Sequence, residues 1–379
     1  MRVALIPFVM LFSGCLSTAA PASDPRTVTV TTQEGLIAAI ARAQSGDQIM
    51  LGTGNYGDVD IRGKLWTADV TLVSATPANP ARFDSITVND VSHLALKSIH
   101  IGRALKAGEP DYFIIGNFRD VASVTLEDVF VRGSLDGNAA NDGNGLNFVD
   151  SRDVTIKGSR FEQLGRGTQM SGSTNLRLID NVFRNMRSDG MNFANVQNVT
   201  IDNNLFSDFM VGEGDHPDAI QFWTAGTTRA STGIVIRNNQ ILQGSGAGTQ
   251  GIFLTDQVGT LPYQNVRIEN NLLYVYDGYN GIMVGNGRQI EIIGNSILSE
   301  PGDDQKYWIR LEDVEGATVQ NNIADSFVNQ NNRALNMVDN VFLDQKSGLA
   351  SRIRDLRARA NATAAGLIVA GHGYQLPAR

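Results

Sequence analysis

The residues best suited to chemistry lie in one short stretch, Asp215-His216-Pro217-Asp218, which precedes an apolar segment. The chain has only four histidines, and this one stands between two aspartates. Histidine exchanges a proton near neutral pH, and a neighbouring carboxylate can orient and charge its ring. We therefore predict proton transfer, with His216 as the catalytic residue and Asp218 as its partner. The alternative is that both residues only cap and tie a turn.

The segment after His216 is one copy of a repeat that runs through most of the chain. Each copy reads apolar-x-apolar, then two or three polar residues, then another apolar pair, which is typical of strands whose side chains alternate between two faces. Copies that begin at Val154, Leu176 and Val199 lie 22 and 23 residues apart. That period fits one coil of three short strands, so the predicted fold class is all-β, a parallel β-helix.

An asparagine stands five positions after the start of six consecutive repeats. These residues are Asn181, Asn204, Asn239, Asn271, Asn295 and Asn322. A constant offset in coils of different length indicates that the side chains stack and hydrogen-bond from coil to coil, as amide ladders do in cross-β structure. The ladder also predicts which residues of each coil point inward.

With the inward and outward positions assigned in this way, one sheet presents a file of outward side chains beside His216. The file consists of the amides Asn147, Gln169, Asn192 and Gln221, followed by Phe253 and Met283. Insertions fall at both turns beside this sheet, at 102–110, 133–143 and 209–217 on one side and at 223–233 and 255–265 on the other. We interpret the file as the floor of a groove for a linear polymer. The alternative is an ordinary solvated sheet face.

Further charged residues are expected around the same place. Asp189 stands one coil before Asp218, Arg166 one coil before Asp189, and Arg187 close by. Two neighbouring carboxylates fit a glycosidase pair or a calcium site. Asp189 is therefore a third catalytic candidate, and Asp189 with Asp218 are candidate calcium ligands. The predicted substrate ligands are Arg166, Arg187 and the four amides.

The N-terminus is typical of an export signal, predicted over residues 1–22. Cys15, the only cysteine, follows Leu11-Phe12-Ser13-Gly14, which resembles a bacterial lipobox. We expect an exported protein that is periplasmic, extracellular or anchored to the outer membrane through a lipid on Cys15.

Two further regions are predicted after the signal. A parallel β-helix domain is expected over 25–346, and a C-terminal helix and tail over 347–379. The net charge of −8 shows no footprint for nucleic acid, which is not an expected partner.

The start of the predicted β-helix resembles the N-terminal cap of pectin-lyase-like proteins. Thr31-x-x-Glu34 predicts a capping box, followed by a helix and then a short strand of the pattern Gly-Asp-x-Ile-x-Leu. From about residue 30 to 346, the chain resembles secreted bacterial right-handed parallel β-helix proteins of the pectin-lyase-like superfamily, closest to mannuronan C5-epimerases and alginate or chondroitin lyases. Epimerases carry an Asp-Pro-His-type element, so the resemblance extends only to His216 and an adjacent aspartate.

The resemblance implies a reaction on an acidic, uronate-containing polysaccharide. Lyases and epimerases both remove the proton next to the uronate carboxyl group, and His216 would be the base. Asn192, Gln221 and Arg187, or a bound calcium ion, would neutralise the carboxylate. Two alternatives stay open: a glycoside hydrolase that uses Asp189 and Asp218, and a non-catalytic glycan-binding protein of the cell envelope.

Overall fold

The computed structural model describes residues 25–300, 306–345, 347–359 and 367–377. The predicted signal over 1–22, with Cys15, lies outside the described residues and stays a prediction. Within the described part, no helix is long and apolar enough to cross a membrane.

The chain begins with a cap that closes one end of the structure. It contains the strand Thr27–Val30, the helix α1 over Gln33–Arg42 and the strand Gln48–Leu51. The hydroxyl of Thr32 accepts a hydrogen bond from the Gly35 amide at 3.1 Å, so Thr32 is the N-cap. The predicted capping box from Thr31 was therefore wrong by one residue, because the strand and its extended continuation reach Thr32 before the helix begins.

Parallel strands then follow one another in coils, each of which contributes to three sheets. The first sheet contains Asn144–Val149, Thr168–Ser171, Met191–Ala194, Asp218–Trp223, Gln250–Thr255, Asn280–Gly285, Trp308–Glu312 and Ser326–Gln330. The second contains Arg152–Lys157, Thr174–Ile179, Gln197–Asp202, Thr232–Arg237, Tyr263–Glu269, Gly287–Ile293, Glu315–Gln320 and Arg333–Val338. Three longer strands, Asp58–Ser74, Ser85–Lys97 and Ile114–Glu127, run through both.

The third sheet is made of shorter strands and faces the other two. Its members are Arg82–Phe83, His100–Ile101, Phe130–Arg132, Arg160–Glu162, Val182–Arg184, Leu205–Ser207, Gln240–Leu242, Leu272–Val275, Ser296–Ser299, Ile323–Ala324 and Val341–Phe342. A single 3-10 turn, Ala139–Asn141, interrupts the described loops before the first sheet. The chain is thus an all-β parallel β-helix, as predicted.

The core runs along the axis between the three sheets. Aromatic side chains from successive coils stack there: Phe161 lies 4.5 Å from Phe183, which lies 5.0 Å from Phe206, between ring centroids. Because equivalent positions repeat at the strand spacing of about 4.8 Å, identical residues meet face to face. This register keeps each outward position of the first sheet in line with the next.

The asparagine ladder lies inside the turn between the second and third sheets. Each of its six side chains is buried, and each Nδ2 donates to the Oδ1 of the next asparagine at 2.9–3.0 Å. Asn340 extends it by one coil at the C-terminal end, where it accepts from Asn322. The predicted ladder is confirmed, and it fixes the phase of every coil that builds the site.

The helix α2, Gly348–Arg359, and the segment 367–377 follow the last coil. Tyr374 is buried in a second apolar cluster that includes Leu272 and Leu298 of the third sheet and Ile353 of α2. The C-terminal segment therefore packs on the sheet that lies away from the predicted groove.

Candidate functional site

The outward file of the first sheet has the predicted register. Asn147, Gln169, Asn192 and Gln221 pair in sequence across four neighbouring strands, and Phe253 continues the file. Asn192, however, is only 1% exposed. The expectation of four exposed amides was therefore wrong at Asn192, because the neighbouring polar side chains cover it.

The file also begins one coil earlier than predicted, before Asn147. Asn117 pairs with Asn147 across the strands, and its Oδ1 accepts a hydrogen bond from Asn147 Nδ2 at 2.9 Å. A strand that runs through two sheets hid this residue from the repeat alignment. Five amides from successive coils therefore share one face.

His216 lies in the loop that joins the third-sheet strand Leu205–Ser207 to the first-sheet strand Asp218–Trp223. Its side chain is 51% exposed, and its ring is in an edge-to-face arrangement with that of Phe253, with 6.4 Å between centroids. Nδ1 lies 3.5 Å from Oδ2 of Asp218. The loop thus places a half-exposed imidazole over the file, with a carboxylate behind it.

Asp218 is completely buried beneath this histidine. Its Oδ2 also accepts a hydrogen bond from Gln221 Nε2 at 2.7 Å, while its Oδ1 has no hydrogen-bond partner among the described residues. Burial raises the pKa of Asp218 to about 6, since a carboxylate loses its hydration there. The hydrogen bond and charge of Asp218 in turn raise the pKa of His216, against the effect of burial. The site therefore couples a carboxyl group whose pKa is raised to about 6 with an imidazole whose pKa lies above its ordinary value.

Asp189 lies one coil before Asp218, as predicted, and is 3% exposed. Its Oδ1 accepts the backbone N–H of Asp218 at 3.0 Å. Its Oδ2 accepts from Asn192 Nδ2 at 3.0 Å and from Arg166 Nε at 3.3 Å. Both oxygens are thus engaged, and the carboxylate holds the strand that carries Asp218.

The two predicted arginine ligands have different surroundings. Arg166 pairs with Asp189 through Nε, and 38% of its side chain is exposed at the file. Arg187 is 17% exposed and lies 3.2 Å from carboxylate oxygens of both Asp111 and Asp215. Arg166 is therefore partly exposed, whereas Arg187 ties the loop of His216 to an earlier loop.

Gln250 belongs to the site but was not singled out from the sequence. It is 6% exposed and pairs with Asp218 in the neighbouring strand. Its Nε2 lies 2.7 Å from Nε2 of His216. The available signal was its place as the first residue of its strand, the same place that Asp218 has one coil earlier.

The calcium site stays a prediction. Within the described ranges, no group of three or more His, Cys, Asp or Glu residues is arranged to hold a metal ion. Calcium takes six to eight oxygen ligands. The oxygens of Asp189 already accept three hydrogen bonds, which leaves Oδ1 of Asp218 as the one free carboxylate oxygen of this pair. The donor set around Asp189 and Asp218 therefore does not fit a calcium ion without rearrangement.

Comparison with known proteins places this geometry on a familiar scaffold. A family model described as a right handed beta helix region matches residues 117–297. No curated protein sequence matches the chain. A PL6 family polysaccharide lyase from Pseudopedobacter saltans has a similar structure, with 12% identity, a TM-score of 0.51, and 86% of this chain and 94% of that chain covered. The fold is therefore a right-handed parallel β-helix, as predicted.

Two further solved structures are similar at lower scores. The PL6 family alginate lyase AlyGC matches with 13% identity and a TM-score of 0.46. The match covers 83% of this chain and 51% of that protein, so this chain spans about half of its length. The family 28 exopolygalacturonase of Yersinia enterocolitica matches with 12% identity and a TM-score of 0.48, and 85% of this chain and 78% of that chain are covered.

Proposed function

We propose that the protein is a polysaccharide-active enzyme that removes the proton next to the carboxyl group of a uronate residue, as a lyase or a C5-epimerase. The observation that carries the proposal is the half-exposed imidazole of His216 over a file of amides, with the buried carboxylate of Asp218 at Nδ1. This arrangement supports a general base near neutral pH. A solvated sheet face would need neither the buried carboxylate nor the loop above it.

In the proposed reaction, Nε2 of His216 takes the C5 proton of the uronate. Asp218 then stabilises the imidazolium through Nδ1. Arg166 and the partly exposed amides, Gln169 and Gln221 among them, bind the uronate carboxylate and stabilise the negative charge that develops on it. In elimination, the electron pair forms the C4–C5 double bond, and the glycosidic oxygen leaves C4 and takes a proton from water. In epimerisation, water returns a proton to C5 from the other face.

A glycoside hydrolase that uses Asp189 and Asp218 has less support. The two carboxylates of such an enzyme flank the scissile bond and must reach it. Here both are almost fully buried, and Asp189 has hydrogen bonds at both oxygens. These carboxylates are better suited to hold and charge His216 than to touch a sugar.

An acidic polymer substrate is consistent with export. Export through residues 1–22 and lipid attachment at Cys15 remain parts of the proposal. Replacing Cys15 with Ser in the full chain is the test: a shift from the membrane to the soluble fraction supports the anchor, and an unchanged distribution contradicts it.

A screen of acidic and neutral polysaccharides, with and without calcium, tests the reaction. Ultraviolet absorbance of the unsaturated product indicates a lyase. Deuterium uptake at C5 in heavy water without chain cleavage indicates an epimerase. New reducing ends without absorbance would replace the proposal with a hydrolase, and retention on a polysaccharide column without turnover would replace it with a binding protein.

The pH dependence follows from the pair of His216 and Asp218. The base must be neutral, and Asp218 raises the pKa of His216 above its ordinary value of 6.5. We therefore expect kcat/KM to rise with pH through a midpoint above that value. Asp218→Asn removes the negative charge, so its midpoint is expected at lower pH. An unchanged or higher midpoint in this variant would show that Asp218 does not charge the base.

Arg166→Gln is expected to weaken the binding of an acidic polysaccharide. A hydrogen bond to a charged group contributes about 1.5–3 kcal/mol, so KM should rise on the order of ten-fold or more. Arg177→Gln is the matched control, since Arg177 is exposed on the second sheet. Thermal unfolding of both variants separates binding from stability, because Arg166 also neutralises Asp189. Equal KM values for the two variants would exclude Arg166 as a substrate ligand.

A further inference from the structure

The hydrogen bonds around Gln250 define the orientation of its amide. Its Oε1 lies 2.9 Å from the backbone nitrogen of Asn280, which can only donate. The oxygen of the amide must therefore face Asn280, and Nε2 must face His216. The side chain is almost fully buried, which restricts other orientations.

This orientation determines which nitrogen of His216 carries the proton in the neutral ring. The amide Nε2 of Gln250 donates, and it lies 2.7 Å from Nε2 of the imidazole. Two donors cannot face each other at that distance, so Nε2 of His216 accepts. The proton of the neutral ring is then on Nδ1, which faces the carboxylate of Asp218.

We infer that Gln250 is a positioning residue that holds neutral His216 as the Nδ1–H tautomer and leaves Nε2 as the nitrogen that takes a proton. Gln250 and Asp218 belong to adjacent strands of the first sheet and act on opposite nitrogens of one ring. The partner of a base commonly defines its tautomer through the other ring nitrogen. Here the protonation of both nitrogens is defined: the amide of Gln250 donates to Nε2, and the carboxylate of Asp218 faces Nδ1 as an acceptor.

Gln250 is itself held by the next coils of the same sheet. Asn280 binds its Oε1 through the backbone, and the side-chain Oδ1 of Asn280 accepts from Trp308 Nε1 at 2.9 Å. The indole of Trp308 packs against Tyr279, with 5.3 Å between ring centroids. The tautomer of His216 therefore depends on order that extends over three neighbouring strands.

The inference also specifies how a substrate must enter. The amide of Gln250 occupies the lone pair of Nε2 in the free protein. A uronate C5–H that gives its proton to Nε2 has to take that place, so substrate binding has to move the half-exposed imidazole away from the buried amide. This catalytic consequence rests on the proposed function, whereas the tautomer itself does not.

Imidazole ¹⁵N NMR of the full protein without substrate tests the inference. The measurement is made at about pH 9, above the ordinary histidine pKa of about 6.5, so that the ring is neutral. The chain has four histidines, and the signals lost in His216→Gln assign His216. We expect Nδ1 to be protonated and Nε2 to be unprotonated. A ring with its proton on Nε2 would overturn the inference even if a polysaccharide is turned over.

Gln250→Glu tests whether Gln250 determines the tautomer of His216. It keeps the shape and the acceptor for Asn280 but places a carboxylate at Nε2 of His216, so a proton is expected on Nε2. Gln197→Glu, at the start of a second-sheet strand, makes the same change of charge away from the ring and should leave the wild-type pattern. Wild-type signals in Gln250→Glu would overturn the role of Gln250. The absence of turnover in every substrate screen would instead remove the proposed function and leave the tautomer in place.

Discussion

Replacing His216 with Ala is expected to lower turnover of the polysaccharide by about 10²–10⁴-fold, the usual effect of losing a general base. Among the described residues of the site, the imidazole is the group that combines a half-exposed side chain with the ability to take a proton near neutral pH. The buried carboxylate below it cannot replace it, because Asp218 has no exposed surface. Retention on the polysaccharide should persist, since the amide file and Arg166 remain.

The control for His216→Ala is His372→Ala, which removes the same side chain from the C-terminal segment. Both variants should unfold at temperatures close to that of the wild type, because neither histidine belongs to the buried core. Only His216→Ala should lose turnover. Equal activities of the two variants would leave His216 as a turn residue.

Asp189→Asn distinguishes the proposed base from the alternatives. Asp189 accepts hydrogen bonds from Asp218, Asn192 and Arg166, so its replacement is expected to disturb the strand below His216. If a folded Asp189→Asn protein loses all activity while His216→Ala keeps it, a hydrolase or a metal-dependent reaction replaces the proposed one.

The fold could be predicted because its signal survives changes in coil length. Asn239 and Asn271 are separated by 32 residues and Asn181 and Asn204 by 23, yet each lies at the same offset from its strand. An insertion at a turn changes the separation between successive asparagines but leaves the offset of each asparagine from the start of its strand unchanged. The same regularity identified the outward file, since every side chain two residues along a strand returns to the same face.

The chemistry of the site was less predictable because it depends on side-chain contacts rather than on period. Asn192 occupies its predicted position, but the carboxylate of Asp189 and the amide of Gln221 cover it. Arg187 stands two residues before Asp189 in sequence, yet two carboxylates from different loops bind it. Gln250 comes 34 residues after His216 and meets it only because their coils are adjacent.

Asn239→Ala is expected to cause the largest loss of stability among the proposed variants. Asn239 is completely buried, and its Oδ1 accepts from both the backbone N–H and the side-chain Nδ2 of Asn204. Its Nδ2 donates to the carbonyl of Ile201 and to Oδ1 of Asn271. The substitution therefore removes four hydrogen bonds in a place that water does not reach.

A buried polar group without a partner costs about 1–3 kcal/mol, and alanine at position 239 leaves the backbone N–H of Asn204 without its acceptor. Nδ2 of Asn204 keeps its hydrogen bond to the carbonyl of Leu178, and each of the three other lost hydrogen bonds costs about 0.5–1.5 kcal/mol. We therefore expect the free energy of unfolding to fall by about 3 kcal/mol or more, measured by denaturant unfolding. Asn336→Ala, at an exposed position of the second sheet, is the control and should change it by less than about 0.5 kcal/mol. If the two variants unfold alike, the ladder aligns the coils without stabilising them, and the apolar stacks of the core would have to hold the register of the strands beneath His216.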